Sequence, residues 1–118
     1  MTQDPTATTA RIPVHSPERA VDITNSGELR DTMLAQIEEG ARTIVVDLSA
    51  VRYVDSSGLS SMVNVATTVE KNNGHIVLCG LDPSVRKVLE MTRLTEYFQI
   101  TEDLESAVAK ANELDSMS

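Results

Sequence analysis

Residues Thr43–Leu59 read TIVVDLSAVRYVDSSGL. The first six, Thr43 to Leu48, are a β-branched and aliphatic run of the kind that forms a strand buried on both faces. From the far end of the stretch, Leu59, Met62, Val63, Ala66 and Val69 recur at helical spacing until Asn72-Asn73-Gly74 stops them. A second apolar run, Ile76 to Cys79, comes after that stop. Strand, loop, helix and strand in this order predict a βαβ unit and therefore a parallel sheet.

Working outward, the flanks repeat the alternation. Upstream, Asn25-Ser26-Gly27-Glu28 carries a helix-start signal, with Glu three positions after a capping Asn. Leu29, Met33, Leu34 and Ile37 then share one helical face, and Gly40 supplies the stop. Downstream, Asp82-Pro83 pairs a cap with a proline at the first helical position, and Val85, Val88 and Leu89 form the inward stripe. Glu96 to Ile100 is a short strand candidate. Thr101 is the expected cap of a last helix with Glu102 and Asp103 in its first turn and Leu104, Ala107, Val108 and Ala111 facing inward. Arg11 to His15 alternates apolar and polar residues, and Pro13 restricts it to a sheet edge. The polar ends, 1–10 and 115–118, read as a flexible arm and a flexible tail. The expectation is an α/β fold with a largely parallel central sheet.

Composition excludes several function classes. The 118 residues hold 10 Lys and Arg against 18 Asp and Glu, a net charge of −8. That balance opposes binding to nucleic acid, which needs clustered cations, and to anionic membrane surfaces. No apolar run reaches the ~20 residues of a membrane helix, and residues 1–10 lack the pattern of a secretory signal. The lone cysteine, Cys79, forms no internal disulfide, which suits a reducing, cytoplasmic setting. It reads as a small buried hydrophobe. Met33, Met62 and Met91 are further core candidates. One Cys and two distant histidines, His15 and His75, offer no metal site, and no cofactor motif is present.

Chemistry concentrates in Asp47–Leu59. Loops at the carboxyl ends of parallel strands are where α/β proteins collect functional groups. Here Asp55 is followed by two hydroxyls at a helix N-terminus, whose free amides and positive dipole end accommodate a phosphate. The plainer alternative is an ordinary capping turn. Spacing alone does not choose between Ser56 and Ser57; Ser57 turning inward as a cap would leave Ser56 outward. A receiver domain is the nearest rival, because Asp47 ends a strand. It lacks an adjacent acidic pair at a first strand end and a Lys after the last strand. A serine hydrolase would need Gly two positions before its serine, which neither serine has.

DLSAVRYVDSSGL, followed by IVLCG and PSVRKVLEMTRL, resembles the STAS domain of bacterial anti-sigma factor antagonists over residues 20 to 113. The resemblance implies a single STAS domain, residues 11–114, with a mixed, mostly parallel sheet of four or five strands and about four helices. It implies that Ser56 is phosphorylated by a partner that is both anti-sigma factor and serine kinase, and restored by a PP2C-type serine phosphatase. Asp55, Ser57, Gly58 and Leu59 then shape the partner-binding site. The family's G-E-[LV]-D segment aligns with Arg19-Ala20-Val21-Asp22, where the apolar position and Asp22 survive, so Asp22 borders the same surface. The resemblance thus implies a non-enzymatic, cytoplasmic switch, monomeric or weakly dimeric, with no cofactor and an output such as a sigma factor, a biofilm programme or secretion. The alternative is a non-switching STAS subunit of a stress-signalling scaffold or a lipid-transport complex.

Overall fold

The computed structural model describes residues 12–117. Strand β1 spans Val14–His15, helix α1 Ser26–Glu38, β2 Thr43–Asp47, α2 Ser56–Lys71, β3 His75–Cys79, α3 Pro83–Met91, β4 Gln99–Thr101 and α4 Leu104–Ser116, with a 3-10 turn at Leu94–Tyr97. The four strands lie in the order β1-β2-β3-β4, and all neighbouring pairs are parallel. The α/β plan of four helices and four strands is the expected one. Its sheet, expected to be mixed and mostly parallel, is parallel throughout among the described residues. The proposed N-terminal arm, 1–10, and Arg11 lie outside them. Helix α4 continues through Ser116, two residues into the segment expected as tail.

Period-two alternation along β2 and β3 decides which helix covers which face. Ile44, Val46, Ile76 and Leu78 pack with Met33, Ile37, Met62, Val65, Val69, Val85 and Leu89 from α1, α2 and α3. Val45, Val77 and Cys79 point to the opposite face, against Ile12 and the Ala107, Ala111 and Leu114 stripe of α4. Small alanines let that helix approach the sheet closely. Pro13 holds β1 to the edge as expected, where its carbonyl accepts from the Val45 amide at 2.9 Å. His15 Nε2 and Gln36 Oε1, 2.7 Å apart, tie this edge to α1.

Several local expectations are corrected. Asn25 occupies the N-cap position of α1 but makes no cap with its side chain. Its amide group turns back instead, accepting from the Asp22 amide and donating to the Ala20 carbonyl, both at 2.8 Å. The strand expected at Glu96–Ile100 begins only at Gln99, opposite Val77, because the left-handed Arg93 feeds the chain into the 3-10 turn first. Thr101 is still paired with Cys79 in the sheet, so Asp103 caps α4, accepting from the Ser106 amide at 2.8 Å. Val88, Met91 and Leu104 are exposed rather than core residues. Only Val85 and Leu89, one turn apart, reach the core from the short α3; Val88 and Met91 lie outside that strip, and Leu104 is in the first turn of α4.

Candidate functional site

The site is built where β2 ends. Loop 48–55 is pinned from beneath by Leu48 and Val51, both fully buried, and by Val54. Its outer residues, Ser49, Ala50, Arg52 and Tyr53, face solvent. The Arg19–Asp22 segment runs alongside this loop. Val21 forms a single parallel bridge with Val54, its amide donating to the Tyr53 carbonyl at 3.0 Å and its carbonyl accepting from the Asp55 amide at 3.2 Å. The Arg19–Asp22 segment thus meets the loop through one isolated bridge, which places Asp22 next to the residue that pairs with Val54.

Asp55 is the junction of the two segments. It caps α2, with Oδ1 accepting from the Gly58 amide at 2.9 Å, while Oδ2 accepts from the Ile23 amide at 3.2 Å. Asp22 forms its own turn: the Thr24 amide at 2.9 Å and the Thr24 hydroxyl both donate to Oδ1. The hydroxyl bond, seconded by the amide bond, holds the Asp22 carboxyl below its ordinary pKa, with a smaller contribution from Arg19. Both carboxylates are thereby oriented by backbone.

The two serines differ in exposure. Ser56, the first residue of α2, is exposed, whereas Ser57 is half-buried. Gly58 is buried because the bridge passes over it: a Cβ there would lie 2.5 Å from the Val21 carbonyl oxygen and 2.7 Å from Val54 Cγ1. Leu59 is half-buried and packs on the core beneath the loop. The Val21–Val54 bridge and the two Asp55 bonds thus join the Asp22 segment to the start of α2, where Ser56 is exposed, Gly58 is buried and Leu59 is half-buried.

Sequence reasoning missed the apolar rim. Ile23 and Tyr53 are 73% and 59% exposed, one on each of the bridged segments. Their only signal was an apolar residue directly after Asp22 and another in a loop, and neither fits a periodic stripe. Also missed was a shallow depression between the starts of α1 and α2, lined by Ile23, Ser26, Gly27, Arg30, Ser56, Ser57, Ser60 and Ser61. At the third helix start, Asp82 accepts from the Ser84 amide at 3.0 Å and the Ser84 hydroxyl donates to the Arg52 carbonyl at 3.1 Å, joining α3 to the same loop. No cluster of three metal-ligating side chains and no helix long and apolar enough to cross a membrane occur among the described residues.

A family model of the STAS domain matches residues 5–107. BtrV of Bordetella bronchiseptica, provisionally named an anti-sigma factor antagonist, is 34% identical over 89 residues, covering 75% of this chain and 77% of that protein. An anti-sigma-B factor antagonist of Staphylococcus aureus is 26% identical over 85 residues, 72% of this chain and 79% of the other. In fold, the chain is similar to a Thermotoga maritima protein provisionally named an anti-sigma factor antagonist. The TM-score is 0.81 at 21% identity, over 86% of this chain and 88% of that one.

Proposed function

The chain belongs to the STAS domain family, and from that premise we propose that it is an anti-sigma factor antagonist working by partner switching. Unphosphorylated, it binds an anti-sigma factor that is also a serine kinase and so frees what that kinase held. Phosphorylation of Ser56 ends the interaction, and a PP2C-type phosphatase restores it. The domain supplies no catalytic group of its own in this cycle.

The observation that carries the reading is the presentation of Ser56. The Asp55 carboxylate is engaged by the Gly58 and Ile23 amides, Ser57 is half-buried, and Ser56 alone of the D-S-S-G-L motif is exposed. The exposed Ile23 and Tyr53 offer the apolar anchors that a protein partner would cover. A phosphoserine adds about −1.5 to −2 charges at neutral pH. Beside Asp22 and Asp55, in an interface that excludes water, that charge repels an acidic or desolvated partner surface. A loss of about 3 kcal/mol in binding would separate the two states by roughly a hundredfold.

The test is intact mass with peptide mapping on protein purified from its native host under phosphatase inhibition. Phosphate on Ser56 is the expected result. Phosphate on Ser57 would keep the mechanism and move the residue. A chain unmodified under every growth condition would overturn switching and favour the scaffold or lipid-transport subunit.

A further inference from the structure

We propose that the depression between α1 and α2 is a receptor for a phosphoryl group, and that the group it takes is the one carried by Ser56, with Arg30 as its cationic partner. The inference rests on the reading of Ser56 as the modified residue.

Two helix N-termini converge on this depression. Among the described residues, the amides of Gly27 in α1 and of Ser56 and Ser57 in α2 have no acceptor. Helix starts alone are common. What distinguishes this one is a pair of serines among its lining residues that are almost wholly buried. Ser26 is 3% and Ser61 6% exposed, and neither side chain has a hydrogen-bond partner among the described residues. A buried hydroxyl without a partner forfeits its hydration for nothing in return, and donors in that state are suited to an oxyanion.

Arg30, on the same wall, supplies the charge. Its Nε donates to Asp31 at 3.0 Å, which engages one edge of the guanidinium. Its Nη2 lies over Gly27, 3.7 Å from where a Cβ would stand. The terminal nitrogens thus remain for a phosphate, which Arg binds through paired N–H donors. A phosphate on Ser56 folded into this depression bridges α1 to α2 and holds the Ile23 turn between them. The phosphorylated state is then a distinct arrangement of the docking surface as well as an added charge.

The test uses the full chain with phosphoserine installed at position 56 by genetic code expansion, so that no kinase is needed. The readout is the phosphate's second pKa by phosphorus NMR. Asp22 and Asp55 on the bridged segments, and Glu28 and Asp31 on α1, are the same in every variant, so whatever they add to that pKa is common to all. The comparison between variants isolates Arg30. Free phosphoserine titrates at about 6. Arg30→Gln is expected to raise the value by about one unit, Arg30→Lys to restore part of it, and Ser61→Ala to raise it by a smaller amount. Identical titrations in wild type and Arg30→Gln would overturn the proposal. So would saturable binding of inorganic phosphate to the depression, seen at the Gly27 and Ser57 amides, in phosphoserine-56 protein whose own phosphate titration does not move on Arg30→Gln. Failure to find Ser56 phosphorylated in cells would remove the functional reading and leave this titration intact.

Discussion

Asp55 and Ile23, 32 residues apart in the chain, are joined by one bond: the Ile23 amide donates to Asp55 Oδ2 at 3.2 Å. Through it, the carboxylate that caps α2 also sets the position of the exposed apolar residue next to Asp22. The D-S-S-G-L loop and the degenerate Arg19–Asp22 segment are mechanically one unit, and the proposed partner recognition depends on both.

Loss of that carboxylate has two separable consequences. Asp55→Ala should lower stability by about 1 kcal/mol, the usual cost of removing an N-cap. It should also broaden the Ile23 and Thr24 amide signals. Urea denaturation and amide NMR of the same variant check both. Unchanged Ile23 signals would disprove the coupling.

Gly58→Ala should cost about 1–3 kcal/mol, because the added methyl meets the Val21 carbonyl and the Val54 side chain. The bridge between Val21 and Val54 must open to admit it. Far-UV circular dichroism should stay native, while the urea midpoint falls. Gly27→Ala is the control, since its Cβ meets nothing closer than 3.7 Å.

Ile23→Ser and Tyr53→Ser should leave stability within about 0.5 kcal/mol of wild type, as expected for exposed positions. Each should weaken binding to the proposed kinase partner by roughly tenfold or more if the rim anchors the complex. Urea denaturation and calorimetry of both variants decide this. Full affinity in the double variant would move the docking surface elsewhere.

Ser56→Ala should remain in the binding-competent state whether or not kinase and nucleotide are supplied. Ser56→Asp should bind more weakly than wild type, though a single carboxylate imitates a dianion poorly. Binding of Ser56→Asp and of the phosphoprotein as tight as wild type would refute the repulsion mechanism.

Cys79 should make stability fall at alkaline pH. Burial, and secondarily the Asp47 carboxylate, raise its thiol from 9.0 to about 11. The folded state therefore keeps a proton that the unfolded chain releases, so the contribution is complete below about 9 and disappears as pH rises through about 11. Cys79→Ala should remove this slope in urea titrations between those values. A thiol reagent should leave the native protein unmodified at pH 7.

Residue order alone announced the parallel α/β plan, because burial on both faces of a parallel strand requires the uninterrupted run of Thr43 to Val46, and a helix must carry the chain back. It announced Asp82-Pro83 and the Asn72-Asn73-Gly74 stop for a similarly local reason. Asp82 accepts from the Ser84 amide two residues on, and Asn73 takes the left-handed φ of 62° that ends α2. Where a side chain had two local options, local reading failed. Asn25 and Thr101 each resemble caps, but one closes a turn and the other is held in the sheet by Cys79.

The D-S-S-G-L stretch and the family resemblance were legible because the motif is contiguous. The exposure of Ser56, the Asp55–Ile23 bond, the apolar rim and the hydroxyl-lined depression were not. Each depends on how residues from Ile23–Arg30 meet residues from Tyr53–Ser61, and no local period records which amide a carboxylate will find across such a gap. Propensity acts on neighbours in sequence. The site exists because Val21 pairs with Val54, and only the packed sheet and its two adjacent helices decide that.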